Sequence, residues 1–590
     1  MSRERTDAEP RAVGLRTILA GAGWSLAEAA RRSPRWLALT AATSLLLALV
    51  PAAQVRAVAW LVETADAGSW RSALVPVLLL TMLVGLAQIV SSAENLMGQR
   101  ASLRLMRELN TRLARTAARL DPRQIADPRI HALLDGCRTS TFELSRAPGS
   151  VISAVASLLA AATLGAAIWP FSPLAAVLVV LALIPSLVNF AWSAGVQDAQ
   201  FEVGAKHGAR FRYLLEQLVG ARTATELATL GSGPKVADAA AAAAAHARFT
   251  AHNDQIYARL MRGDLIGGAL TAGLLGGALI AVLAEGGGTA GLSAGVLGVI
   301  AGLQATRGAG FAFGDVISVA PKVARFREQE NLAGEREQDG RAPGVRRLDI
   351  REVTVTYAGA STPALRDASL HAEAGEMIAL VGINGAGKTT LVGALLGIVE
   401  LDGGLVQLDG ADASQLSLPE RFSRFALVTQ EFGRYEMTVR EAVALGTPRW
   451  DVEDEEIWQA LEAARARSLV ERLPRGLDTM LGPQFDGVGL SGGQWQRIAL
   501  ARIHVRDAGV RILDEPTSAI DAEAEQEVFA QLRESAAGRI TIVVSHRAWT
   551  LRGMDRIYLL DHGRVLESGS FEQLAAPGTR FSEIFAQQLG

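Results

Sequence analysis

The sequence predicts two fold classes in one chain: a membrane α-helical domain, with six transmembrane helices and long cytosolic extensions, followed by an α/β domain built on a phosphate-binding loop. Three observations carry this. Six apolar runs before about residue 340 approach the ~20 residues that a bilayer-crossing helix needs. After residue 348, short apolar runs alternate with helical patterns, as in an α/β domain with a largely parallel sheet. Among those runs stands Gly382-Ile383-Asn384-Gly385-Ala386-Gly387-Lys388-Thr389-Thr390, after the apolar stretch 377–381 and before the helical pattern 391–398.

Composition agrees. A chain of 590 residues exceeds one ordinary core, so at least two domains are expected. The net charge of −3 gives no reason to expect a nucleic-acid partner. Hydrophobic residues make up 49% of the chain, concentrated in its first part. The single cysteine, Cys137, cannot form an internal disulfide and reads as a small side chain in an Arg-rich stretch. Residues 1–10 are charged and precede no short apolar core with a cleavage site, so no removable signal peptide is expected.

Residues 1–34 read as a cytosolic segment with an elbow helix, and 35–334 as the six-helix domain. The spans fall near 36–61, 72–92, 151–168, 174–192, 265–283 and 292–312. Trp169-Pro170-Phe171-Ser172-Pro173 joins the third to the fourth, and Glu285-Gly286-Gly287-Gly288 the last two. Arg100, Arg104, Arg107, Arg112, Arg115, Arg119 and Arg123 fill the loop between spans two and three. Lys206, Arg210, Arg212, Arg222 and Lys235 fill the loop between spans four and five. The other connections hold almost no Lys or Arg, so the positive-inside rule puts both basic loops, both termini and everything after span six in the cytosol. The basic loops also carry helical periodicity, which predicts helices continuing well below the membrane.

Within the spans, Arg56 falls near the outer interface. Gln88, Asn189 and Gln304 either line a polar cavity or bond a neighbouring helix. Gly267, Gly268, Gly273, Gly276, Gly277, Gly295, Gly298 and Gly302 suit close helix packing. Pro51, Pro76 and Pro185 predict bends.

A charged linker, 335–347, leads to the second domain, 348–590. Residues 348–357 alternate like a member of an antiparallel pair. Runs 377–381, 425–429, 510–513 and 540–544 read as buried strands, and 557–565 as a late hairpin turning at Asp561-His562-Gly563. In the glycine-rich loop, Gly382, Gly385 and Gly387 let backbone N–H groups approach a polyphosphate at a helix N-terminus. Lys388 reaches the β- and γ-phosphates, and the Thr389 hydroxyl helps to hold Mg²⁺. Asp514 and Glu515, adjacent acids at the end of a buried strand, are costly unless a metal or substrate uses them. Asp514 is placed to hold Mg²⁺ and Glu515 to polarise an attacking water. Arg511 interrupts the same apolar run and reaches either the strand end or a neighbouring helix. Leu490-Ser491-Gly492-Gly493-Gln494, before the helical run 496–501, forms another anion-binding helix start.

These residues together resemble the ATP-binding cassette (ABC) transporter family, and the resemblance covers nearly the whole chain. It implies an α/β P-loop ATPase domain using ATP and Mg²⁺. Tyr357 stands where that family stacks an aromatic on adenine. Gln430 matches the glutamine that senses Mg²⁺, so Thr389, Gln430 and Asp514 form the implied metal set. His546 matches the histidine at the γ-phosphate, joining Glu515 and Gln430 as the implied catalytic group. Ser518-Ala519-Ile520-Asp521 matches the loop after the catalytic glutamate. The implied nucleotide set is Tyr357, Gly382, Asn384, Gly385, Gly387, Lys388, Thr389 and Thr390, with Ser491, Gly493, Gln494 and Asp521.

In the family, the Ser491-type signature of one cassette closes over the P-loop of another. The chain therefore resembles one half-transporter of a dimer, a homodimer being the simplest reading and a heterodimer the alternative. Membrane half first resembles the exporter branch, with coupling helices expected near 121–131 and 221–231, in a bacterial inner or plasma membrane. Alternating access would move a peptide, lipid or lipophilic compound out of the cytoplasm. Gln430-Glu431-Phe432-Gly433-Arg434-Tyr435 and Gln494-Trp495-Gln496-Arg497 resemble exporters of modified peptides, including lantibiotic-type ones. No N-terminal protease domain is expected. An ATP-gated channel or regulatory ABC protein is the rival, and intact Glu515 and His546 favour a pump.

Overall fold

A computed structural model describes residues 14–68, 70–244, 247–285, 288–332, 344–449, 451–516 and 522–589. It divides into two compact units: Met1–Leu120 with Gln124–Gly334, and Asp121–Arg123 with Glu335–Gly590.

Among the described residues, the regular elements up to Leu332 are all helices: α1 (Leu15–Arg32), α2 (Pro34–Asp66), α3 (Trp70–Ala117), α4 (Pro122–Ala126), α5 (Pro128–Ile168), α6 (Pro173–Leu181), α7 (Leu183–Val219), α8 (Ala221–Thr229), α9 (Gly233–Ala244), α10 (Ala247–Ala284) and α11 (Gly288–Leu332). Among the described residues, six stretches are long and apolar enough to cross a membrane: Pro34–Asp66, Trp70–Ala117, Pro128–Ile168, Pro173–Ser193, Ile256–Ala284 and Gly288–Leu332. The 48 residues of α3 extend ~72 Å at 1.5 Å per residue, more than twice the ~30 Å apolar thickness of a bilayer. The helices thus run on past the spans, as the loop periodicity predicts. Helices α4 and α8 stand where coupling helices are expected.

The fourth span is broken, with α6 ending at Leu181 and α7 starting at Leu183. Pro185 has no N–H to give the Leu181 carbonyl, which accounts for the break. Pro51 and Pro76 instead sit inside unbroken α2 and α3.

Close packing by glycine is confined to part of the predicted set. A Cβ on Gly298 would lie 2.6 Å from the Ile168 side chain, and one on Gly302 3.1 Å from Val179. At Gly268, Gly273 and Gly276 a Cβ would meet nothing within 4 Å, so those glycines fit no close helix approach. Asn189 bonds a neighbouring helix, donating to the Asp264 carboxylate at 2.6 Å. Gln88 and Gln304 are exposed. The Arg56 guanidinium lies 5.7 Å from the Phe171 ring centre.

Helix α1 packs into this unit through Trp24, 6.0 Å from Phe326 between ring centres. Glu28, 3% exposed, accepts from Arg112 of α3 at 2.6 Å. A buried carboxylate is tolerable only when paired in this way.

Among its described residues the second unit holds two sheets. Strands β1 (Arg347–Val355), β2 (Leu365–Glu373), β4 (Gly403–Leu408) and β5 (Ala411–Asp412) form an antiparallel sheet of order β2-β1-β4-β5. Strands β3 (Met377–Val381), β6 (Phe425–Val428), β7 (Val510–Asp514), β8 (Ile540–Val544), β9 (Arg556–Asp561) and β10 (Arg564–Gly569) form a second, of order β10-β9-β3-β8-β7-β6. All pairings from β9 to β6 are parallel, and only the β9–β10 hairpin is antiparallel. The four predicted buried strands are four neighbours of this sheet. The antiparallel sheet is a finding beyond the largely parallel expectation, although the pairing of 348–357 is as expected.

Alternation along β3 feeds two cores. Met377, Ala379 and Val381 face one with the helix Gly492–Arg506, while Ile378 and Leu380 face the other with α12 (Lys388–Leu396). Arg511 of β7, 2% exposed, reaches a neighbouring helix end and not the strand end, donating to the Ser535 hydroxyl at 2.8 Å. Burial pushes its pKa down to about 10, with Arg539 adding to the effect.

Candidate nucleotide-binding site

Four neighbouring parallel strands, β3, β8, β7 and β6, end on one edge of the sheet. Their registers pair Leu380 with Val544, Asp514 with Val544, and Val428 with Leu513, so the four ends are level. Each strand releases a predicted functional residue at its end. The glycine-rich loop follows β3, His546 follows β8, Asp514 and Glu515 end β7, and Gln430 follows β6. Segments far apart in sequence therefore meet because a parallel sheet stacks its C-terminal ends.

The loop needs glycine at two positions for different reasons. Gly382 has φ +147°, and a Cβ there would stand 2.2 Å from the Leu560 carbonyl oxygen. Gly387 has φ +103° at the N-cap of α12, and a Cβ would stand 2.8 Å from the Ala364 carbonyl oxygen. Lys388 Nζ donates to the carbonyls of Gly382 at 2.8 Å and Ile383 at 3.1 Å, which holds the ammonium in the mouth of the loop. Burial lowers its pKa, and Glu515 and Asp514 pull it back up. Asn384 and Thr389 are exposed beside it, and Thr390 is buried. The Tyr357 hydroxyl shares a hydrogen bond of 3.2 Å with that of Thr390, and the tyrosine remains 50% exposed, open to a stacking partner.

Glu515 is the centre of the cluster. Gln430 Nε2 donates to Oε2 at 3.0 Å, and His546 Nδ1 lies 3.1 Å from Oε1. The Glu515 backbone is left-handed, with φ +49°, and its N–H donates to the Val544 carbonyl at 3.0 Å. Such a conformation in a non-glycine residue stores strain of order 1–3 kcal/mol, a common companion of function. Gln496, 1% exposed, donates to the Glu515 carbonyl at 3.4 Å. Sequence reasoning gave Gln496 no role, although an amide among the apolar residues of a buried helix was the available signal.

Asp514 has its pKa raised, by burial first and then by Glu515, with Lys388 offsetting part of the effect. Among the described residues its side chain makes no hydrogen bond. A half-buried acid with spare oxygens, close enough to Lys388 and Glu515 to feel both charges, suits a hard divalent cation such as Mg²⁺.

Ser491 caps the helix Gly492–Arg506 in a closed capping box. Its hydroxyl accepts from the Gln494 N–H at 3.3 Å, and Gln494 Oε1 accepts from the Ser491 N–H at 2.8 Å. Among the described residues, Ser491, Gly493 and Gln494 make no hydrogen bond to the glycine-rich loop. The structure thus brings together Gln430, Lys388, Asp514, Glu515 and His546, and among the described residues no hydrogen bond joins Ser491, Gly493 or Gln494 to them. Asp521, with Ser518, Ala519 and Ile520, lies outside the described residues.

Comparison with known proteins points the same way. The ABC transporter domain family matches residues 365–518. An ATP-dependent lipid A-core flippase of Methylobacillus flagellatus is 39% identical over 253 residues, 43% of this chain and 42% of that protein. The ABC multidrug transporter MDR2 of Trichophyton interdigitale is 40% identical over 242 residues, 41% of this chain and 18% of that protein. The matched region is less than half the length of these relatives. A solved structure described as a bacterial Atm1-family ABC exporter with ATP bound superposes with a TM-score of 0.75 at 21% identity, over 94% of this chain and all of that one. At that identity the likeness is one of fold.

Proposed function

We propose that this chain, whose residues 365–518 match the ABC transporter domain family, is one half of an ATP-driven exporter, multi-pass in a bacterial inner membrane with both termini and the ATPase domain cytoplasmic. The observation that carries the proposal is the Glu515 carboxylate held between Gln430 and His546, beside Lys388 and Asp514. ATP supplies the phosphoryl group, and the glycine loop N–H groups with Lys388 hold its phosphates. Thr389 and Asp514, with Gln430, would hold Mg²⁺, which neutralises phosphate charge. Glu515 accepts a hydrogen bond from the attacking water and draws off its proton, while His546 orients Glu515 and faces the γ-phosphate. Tyr357 stacks on the base. Ser491, Gly493 and Gln494 act on the nucleotide of a second subunit, a second copy of this chain being the simplest partner.

The transported substrate is proposed to be lipid-like, by analogy with the lipid A-core flippases. The exposed face of α11 supports this. It runs from Leu292, Val296, Ile300 and Leu303 into Gln304, Arg307 and Asp315, apolar at the end nearer Gly288 and mixed beyond, where Phe311 stands among the polar side chains. Such a face fits an amphiphile. The peptide reading draws no support from these relatives.

The test is ATP hydrolysis by the chain in lipid bilayers, with Glu515→Gln as the control. Hydrolysis abolished by that change while ATP still binds is the expected result. Hydrolysis that survives it removes Glu515 from the role.

A further inference from the structure

We infer that Gln588, near the C-terminus, is a positioning residue for His546, fixing the backbone from which the imidazole projects by bridging the chain on both sides of Arg547. The inference rests on the proposed role of His546, but the geometry that suggests it is independent of that role.

After β8 the chain leaves the sheet through Ser545, His546 and Arg547 and enters the short helix Ala548–Leu551. Arg547 is the N-cap of that helix and supplies no side-chain cap. The Ala548 N–H would otherwise be one of the unsatisfied donors of a helix start. Gln588 Oε1 accepts from it at 2.7 Å. The same amide turns its Nε2 to the His546 carbonyl and donates at 3.1 Å. One side chain therefore fixes a carbonyl before Arg547 and an N–H after it. The orientation of the His546 carbonyl follows the ψ angle of the histidine, so that bond holds the backbone from which the imidazole projects, while Glu515 holds the ring itself.

His546 needs such outside control. Its side chain is 58% exposed, and Glu515 is its only side-chain partner among the described residues, so packing does not hold it. Gln588, by contrast, is borne on an anchored segment. Phe581 and Phe585 are 0% and 3% exposed and stack with ring centres 4.6 Å apart, while the Gln588 N–H donates to the Phe585 carbonyl at 2.8 Å. On the far side of the same loop, Glu525 is 1% exposed and accepts from the Thr550 hydroxyl at 2.7 Å and from Arg547. The buried acid anchors the chain beyond the histidine. Gln588 alone reaches the histidine's own backbone among the described side chains.

The experiment compares the full chain in lipid bilayers with Gln588→Ala, His546→Ala and the double variant. Expected for Gln588→Ala is a fall in kcat of about tenfold, the scale of a displaced catalytic group, with KM for ATP unchanged. In the His546→Ala background the same change should cost nothing further, because the group it positions is gone. Hydrogen exchange supplies a readout independent of turnover. The Ala548 amide should exchange about three- to tenfold faster in Gln588→Ala, the effect of one lost hydrogen bond, with β8 unchanged. Exchange at Ala548 equal to the native chain overturns the inference. So does a kcat loss that adds in full to that of His546→Ala. A native chain that hydrolyses no ATP, with Ala548 protection lost on the Gln588 change, would refute the proposed function while leaving the positioning contact standing.

Discussion

Arg421 offers a prediction with a magnitude that the geometry supplies. It is 6% exposed and makes no ion pair among the described residues, yet it carries a charge. Its Nε donates to the Leu395 carbonyl at 2.9 Å, Nη2 to Ala394 at 2.7 Å and Nη1 to Ala413 at 3.4 Å. Two of these carbonyls end α12, whose N-terminus faces the phosphate site, so the guanidinium caps the loop helix from behind. Burial pushes its pKa down to about 10 from 12.5, a cost of about 3 kcal/mol for keeping it charged. Three hydrogen bonds from a charged donor contribute about 1.5–3 kcal/mol each, so the net gain is of order 3 kcal/mol. Arg421→Met should remove that gain and leave helix-end carbonyls unpaired. For a unit of this size, ~3 kcal/mol corresponds to a melting temperature lower by about 6–12 °C. Thermal unfolding of the purified chain, followed together with ATP affinity, measures both ends of the helix at once. Arg421→Lys keeps the charge but not the planar fork and should recover about half the loss. A Met variant that melts within about 1 °C of the native chain refutes the reasoning, and so does a Lys variant that recovers everything.

Three further outcomes are expected at the site and on the face of α11 proposed for the substrate. Asp514 has a raised pKa in the fold, so its ionised form costs stability above that pKa and costs nothing below the ordinary carboxylate range. Asp514→Asn should therefore melt higher than the native chain at neutral pH without nucleotide, lose that advantage as the pH falls below about 4, and gain less from Mg²⁺ with ATP. Melting curves across pH check the sign, and an advantage that persists at low pH contradicts it. Ser491→Ala should cut hydrolysis at least tenfold while nucleotide binding to the open chain stays intact, because its hydroxyl makes no bond to the loop of its own chain. Equilibrium binding that vanishes with the activity would place Ser491 in the same subunit's site. Arg307→Ala should reduce the stimulation of hydrolysis by anionic lipids several-fold relative to neutral ones, and equal stimulation would remove Arg307 from the substrate face.

How much of the fold and the site was legible in the sequence depended on the range of each signal. The loop Gly382–Thr390 and the strands at 377–381 and 540–544 announce themselves because one glycine pattern and two unbroken apolar runs are local. The antiparallel sheet was hidden because β2 carries Arg366, Asp367, His371 and Glu373 on a solvated face and reads as polar. Arg421, Arg511 and Gln588 bond neutral groups on other elements, so no complementary charge stands near them in sequence. Gly298 and Gly268 are equivalent in sequence, and only the rotation of their helices decides that one meets Ile168 and the other nothing. Arg307 is inconspicuous in its span because an apolar window tolerates one charge, although a lone arginine in such a run is the available signal.

The central claim is that Glu515, held between Gln430 and His546, drives export by hydrolysing ATP. The most direct measurement is lipid translocation and ATP hydrolysis followed together in proteoliposomes, for the native chain and Glu515→Gln. The account predicts ATP-dependent translocation by the native chain, with both activities lost in the variant and ATP still bound. Translocation that continues in the variant, or hydrolysis that continues without Glu515, would contradict it.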